Sequence, residues 1–262
     1  MIRLLLLLAF SFTLVLAKLE AQSADSLIID GKEVLRVADN TGDLDRMYVA
    51  RALFERSTAD TVRSAWAHYY LALSDYRIAN YLLGQGEEHE DLASTHLKSA
   101  VEQLITVTRL DPGGEEAYAL LSSVYGRQIG LSPIKGMLLG PRSSRALSKA
   151  KQLGPDNPRV VLAAAIEDFH TPEMWGGDKE RAMDGYKRAA ALFARESPTD
   201  PMLPTWGHCD VYAWIGIAHL KKGRHALARR AFEKALDIDP EFGWVKYSLM
   251  DKLEKAEQEE SR

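Results

Sequence analysis

The sequence predicts an all-α fold in which antiparallel helix pairs stack into a solenoid closed by a C-terminal capping helix. Recurrence is the main observation. With Cys209 as position 1, Tyr212, Ile215, Gly216 and His219 fall at positions 4, 7, 8 and 11. Ala228, Phe232, Ala235 and Pro240 fall at positions 20, 24, 27 and 32. The same grid lies over most of the chain, and such self-similarity marks a repeat architecture. A proline then closes several second helices, because its ring cannot continue the hydrogen-bond ladder. Composition agrees: 262 residues, 46% hydrophobic and 27% charged, supply core enough for one or two domains. The balance of 33 Lys+Arg against 37 Asp+Glu, net −4, offers no basic field to hold nucleic acid. A single cysteine, Cys209, excludes an internal disulfide and a zinc cage of several thiolates.

Residues 1–21 read as a signal peptide. Arg3 supplies a charge, Leu4 to Ala17 run without one, and small residues allow cleavage after Ala17 or Ala21. As a helix, these fourteen residues span about 21 Å, short of a ~30 Å hydrocarbon core. No cysteine follows for acylation, so no stable membrane anchor remains after cleavage. Asn40, Asn80 and Asn157 begin no Asn-x-Ser/Thr site, which favours a bacterial periplasmic or secreted location over a eukaryotic one.

The mature chain divides by the grid. Residues 22–60 hold a degenerate pair, with Asp43 as an N-cap and Ala50 and Phe54 on the second helix. Residues 61–112 hold an aromatic first helix of open register, then Ala100, Leu104, Val107 and the stop at Pro112. Residues 113–157 place Tyr118, Leu121, Ser122 and Tyr125 on the first helix and Ser143, Leu147 and Ala150 on the second. In residues 158–208, Val161, Ala164 and Ala165 are followed by Ala182, Tyr186 and Ala189. Residues 209–242 carry the most regular repeat, in which Gly216, Ala228 and Ala235 allow close approach and Phe232 fills the space between. Residues 243–262 supply the capping helix and a charged tail.

The spacing from Cys209 to Pro240 resembles the tetratricopeptide (TPR) repeat, with His219 where an aromatic residue is usual. That resemblance implies a right-handed superhelix whose concave face is lined by first-helix positions 2, 5, 9, 12 and 13. The groove-binding candidates it selects are Arg127, Arg159, Leu162, Ile166, Phe169, Ile217, Leu220 and Lys221. TPR proteins that bind chaperone tails clamp a peptide carboxylate with Lys and Asn, a set this sequence lacks. From Glu115 to Trp244 the chain is similar to exported bacterial TPR proteins with SPxKGMxxGP-type and GGD-type insertions, a group that brings no assigned activity.

Three insertions break the grid, and all are rich in Gly, Pro and large apolar residues. They contain Met137 and Leu138, then Trp175 before Gly176-Gly177 and the helix-capping Asp178, then Trp206 after three prolines. These four side chains are insertion-loop candidates, because a soluble protein does not expose such content without a use. Either the insertions plug the groove or they form a recognition surface. The expectation is burial for Trp175 and for Trp206.

No motif supports catalysis, metal binding or a cofactor. His208-Cys209-Asp210 unites base, nucleophile and acid, but neighbours on a helix point about 100° apart, so no catalytic residue is expected. His89 and His96 beside Glu87–Asp91 read as a solvated loop. The sequence therefore predicts a non-catalytic exported scaffold that binds an envelope protein or peptide. The alternative is a periplasmic carrier of a small hydrophobic ligand, accessory to a transporter.

Overall fold

A computed structural model describes residues 23–260. The signal-peptide expectation for 1–21 lies outside them. Eleven α-helices follow in order among the described residues: α1 Ala24–Thr41, α2 Leu44–Ser57, α3 Ser64–Gln85, α4 Glu90–Leu110, α5 Glu115–Leu131 and α6 Gly136–Leu153. Then come α7 Pro158–His170, α8 Lys179–Phe193, α9 His208–Leu220, α10 His225–Ile238 and, after a π-helical turn Trp244–Leu249, α11 Met250–Glu260. No strand occurs among the described residues. Successive helices pack as five pairs, α1–α2 through α9–α10, and each pair stacks on the next.

Local chemistry sets the helix starts. The side chains of Ser23, Asp43, Asn157 and Asp178 accept backbone N–H bonds from the first turns of α1, α2, α7 and α8. Close contact then locks the pairs. Gly216 on α9 lies where an added Cβ would strike the Phe232 ring on α10, and Gly31 on α1 meets Phe54 of α2 in the same way. The N-terminal pair therefore uses the lock of the most regular repeat, although its sequence looked degenerate. Ala228, Phe232 and Ala235 are fully buried, as are Ala100, Leu104 and Ala150.

The first insertion is mostly helix. It extends α5 to Leu131 and begins α6 at Gly136, leaving only Ser132–Lys135 between them. Pro141 sits inside α6, and its carbonyl accepts a bond from Arg145 Nε at 3.1 Å. Leu139 turns inward to the core.

The two ends of the solenoid also meet. Asn40 Nδ2 at the end of α1 donates to Asp239 Oδ2 beyond α10 at 2.9 Å. Gly243 packs against the Asn40 carbonyl so closely that a Cβ has no room. Long-range closure of this kind is invisible to the repeat grid, which records only neighbours.

Candidate functional site

Residues 194–207, between α8 and α9, run as a strap over α1, α3 and α7, the first helices of three pairs, which line the concave side of a TPR-like solenoid. Pro198, Pro201 and Pro204 lack N–H groups, and a turn at Asp200–Leu203 takes up the Leu203 N–H, so the strap offers mainly carbonyls that need donors. Three helices distant in sequence supply them. Lys32 Nζ on α1 donates to the carbonyls of Pro201 at 2.5 Å and Leu203 at 2.6 Å. Tyr70 on α3 donates to the Met202 carbonyl at 2.6 Å, and Arg159 on α7 donates to that of Pro204 at 2.7 Å. The Met202 side chain, 2% exposed, joins the core shared by α1 to α6. Trp206 donates its indole N–H to Tyr69 Oη at 3.2 Å and lies between the guanidinium groups of Arg77 and Arg159.

Arg159 is the hub of this end, only 2% exposed. Its guanidinium donates to Glu196 at 2.6 and 3.0 Å and to Glu116 at 3.3 Å, and it stacks on the Phe193 ring. Such a charge is tolerable in the interior only because carboxylates and a carbonyl surround it. Burial raises the Glu116 carboxyl above its usual range, with Arg159 and Asn157 pulling it back. A second ion group, Arg77 with Asp210 at 3.1 Å and Asp39 at 3.4 Å, ties α3 to α9 and α1. Arg159, Leu162 and Phe169, expected to face a ligand, are thus buried: Arg159 is committed to the strap, and the other two sit in the core.

Where α5, α7 and α9 finish, the picture changes. Arg127, His170 and Lys221 occupy equivalent positions near the ends of these helices, and all three are exposed. Neither Arg127 nor Lys221 forms an ion pair with a described residue. Lys221 Nζ stands 5.0 Å from the centre of the Phe169 ring. Ile166, Ile217 and Leu220 remain half-buried beside them. His170 packs edge-on against Phe169 and Trp214, with centroids at 5.3 and 5.4 Å. Packing against these two rings shields the imidazole from part of its water and lowers its pKa, although the residue as a whole is exposed, and Lys221 and Arg127 lower it further. Of the eight groove candidates, five stay accessible, all on this side.

The insertion candidates separate. Trp206 is drawn into the groove with the strap. Met137 and Leu138 are 83% and 63% exposed on α6. Trp175 is 70% exposed, which overturns the expected plug. The physical reason is local: residues 171–178 close on themselves and cannot reach the groove. Gly177 N–H bonds to the Pro172 carbonyl at 3.2 Å, and Asp178 N–H bonds to that of Asp168 at 3.0 Å.

The three side chains of the cysteine trio are engaged separately. Burial, with Asp210 and Asp239, pushes the Cys209 thiol up to about 12. Asp210 is bound to Arg77, and the His208 ring stacks on Phe193. His96 also departs from expectation. It is a buried α4 residue whose Nδ1 lies 2.7 Å from the fully buried Asp75, and Tyr48 Oη lies 3.0 Å from its Nε2. Arg51 and Ser99 donate to the same carboxylate, so the network satisfies Asp75 and locks α2, α3 and α4 together. Its signal was visible only as isolated polar residues on apolar helices. Among the described residues, no group of three or more His, Cys, Asp or Glu side chains is placed to hold a metal ion.

Comparison with known proteins gives this geometry a family context. The tetratricopeptide repeat model matches residues 209–242. No curated protein matches the chain. Among solved structures, the fold is similar to that of the HusA haemophore from Porphyromonas gingivalis, with a TM-score of 0.59 and 20% identity over 77% of this chain and 96% of that one. It is also similar to a thermophilic TPR protein from Thermus thermophilus, with a TM-score of 0.56 and 19% identity over 86% and 98% of the two chains. At these identities the likeness is one of fold. The fold is a TPR-like helical-repeat solenoid, and residues 209–242 carry the tetratricopeptide repeat itself.

Proposed function

We propose that this TPR-type chain is a non-catalytic scaffold of the cell envelope that binds a protein or peptide at the open end of its groove. The observation that carries the reading is the division of the concave side. The strap and the Arg159 network fill the end where α5, α7 and α9 begin. Half-buried Ile166, Ile217 and Leu220 are left accessible at the other end, beside exposed Arg127 and Lys221. An apolar row with a cationic rim suits a segment carrying aliphatic side chains and an acidic group. Support for export comes from the sequence, where Arg3 and the apolar run to Ala17 have the pattern of a secretory signal. Among the described residues, no helix is long and apolar enough to cross a membrane.

A photo-crosslinking amino acid at Leu220 or Ile166, with Val49 as an outer-surface control, tests the reading in living cells. The expected result is a discrete adduct from the groove positions that disappears when Arg127 and Lys221 are both changed to Glu. Adducts that ignore these charges, or their absence, overturn it.

The second reading, a carrier of a small hydrophobic ligand, is favoured by the same apolar row and by the similarity to a protein described as a haemophore. Native mass spectrometry separates the two. A co-purified small-molecule adduct supports the carrier, and a clean apo mass supports the scaffold.

A further inference from the structure

The loop that presents Trp175 is rigidly built, although its aromatic ring lies in water. Trp175 N–H bonds to the Pro172 carbonyl at 2.8 Å, and Gly176 N–H to that of Glu173 at 2.9 Å. Arg181 donates to the Gly176 carbonyl at 2.7 Å while gripping both oxygens of Asp168 at 2.6 and 2.8 Å. Gly177 lies so close to the Thr171 carbonyl that no side chain fits there. An ordered loop that holds a large apolar ring outward has given up the burial that ordinarily stabilises tryptophan.

Beside the ring lies a cleft of about 210 Å³ between α6 and the end of α7. Ser144, Ser148 and Lys151, spaced along one face of α6, form one wall, and Glu167 and Thr171 form the other. None of these five side chains makes a hydrogen bond to a described residue. Buried Leu147 lies between the walls. Burial raises the Glu167 carboxyl above its ordinary value, and the neighbouring Lys151 only partly offsets this. A half-buried carboxyl with no protein donor relies on solvent, and ligand hydroxyls can take the place of that water.

Three properties narrow the ligand. Lys151 opposes Glu167 and Asp168, so the cleft offers neither an anion nor a cation a field of one sign. Apart from Leu147 and Trp175, the side chains that line it are polar, unlike the apolar pocket that anchors a protein hot spot. An indole face with hydroxyl, carboxylate and ammonium groups around it matches a pyranose ring: C–H bonds on one face, and hydroxyls that both donate and accept at the edge. We propose that the cleft beside Trp175 is a binding site for a neutral sugar, stacked on the indole and hydrogen-bonded by Glu167, Lys151 and the three hydroxyls. This site lies outside the groove and is independent of the scaffold reading.

The test is an NMR titration of the tryptophan indole N–H signals with glucose, N-acetylglucosamine and their β-linked tetramers, each to about 50 mM, a range suited to millimolar affinity. The Trp175 signal is assigned by its loss in Trp175→Ala. The proposal expects it to shift saturably with at least one of these sugars, while the Trp206 signal stays still. Glu167→Gln should weaken that response about tenfold without moving the unfolding midpoint, since one lost charge-assisted bond is worth roughly that factor. Tighter binding of a tetramer than of its monomer identifies a polymer glycan as the source, and equal binding identifies a free sugar. No saturable shift with any of the four, or an unchanged response in Glu167→Gln, overturns the proposal.

Discussion

Two tryptophan-bearing insertions of similar composition end in opposite environments. Residues 171–178 and the strap 194–207 both combine Gly and Pro with Met and Trp. Trp175 stands in solvent, whereas Trp206 lies against Arg77, Arg159 and Tyr69. Composition does not decide between them; donors do. The strap exposes consecutive carbonyls that Lys32, Tyr70 and Arg159 capture from three helices. The shorter loop spends its own amides and Arg181 on itself. A loop is pulled inward where the scaffold holds partners for its backbone, and turned outward where it satisfies itself.

The largest expected effect follows from removing the hub. Arg159→Ala leaves Glu116 and Glu196 without their counter-ion and the Pro204 carbonyl without a donor. It should cost about 3–5 kcal/mol, the usual cost of breaking a buried ion pair. Urea unfolding measures it, and a loss below about 1 kcal/mol would place the strap outside the cooperative core. Next comes Trp206→Ala, expected to cost about 3 kcal/mol because the ring is only partly buried.

How much of this was legible follows from the same residues. Pairing, proline stops and the caps at Asp43 and Asp178 are local, so they could be read from spacing and side-chain type. Arg159 appeared only as one groove position among several. Its burial depends on Glu196 and Pro204, 37 and 45 residues away. Lys32 meets the strap 169 residues along the chain, and Asn40 meets Asp239 across 199. A repeat grid relates each helix to the next and carries no term for such closure. The outward turn of Trp175 is hidden for the opposite reason: apolar content alone predicts burial, whereas the self-bonding of residues 171–178 leaves no mark on composition.

A smaller effect concerns His170 at the open end. Partial desolvation of its ring against Phe169 and Trp214, and then Lys221 and Arg127, hold its pKa below the ordinary 6.5. The unfolded chain therefore binds this proton more tightly. The stability that neutral His170 contributes is present above pH 6.5 and is lost as pH falls toward the folded value. His170→Gln should flatten the fall in unfolding free energy as pH drops below the ordinary histidine value of 6.5. An identical slope in the variant contradicts the assignment.

Smallest of all is Trp175→Ala, expected to change stability by no more than about 0.5 kcal/mol, as for an exposed side chain without structural partners. A loss of about 3 kcal/mol would restore the plug that the exposed ring excludes.

The most direct test of the contrast reads both insertions in one sample. Hydroxyl-radical footprinting of the native protein, followed by peptide mass spectrometry, reports side-chain access residue by residue. Rapid oxidation of Trp175, Met174 and Met137 is expected, with Met202 and Trp206 protected until urea unfolds the chain. Comparable native rates for Trp175 and Trp206, or for Met174 and Met202, would contradict it.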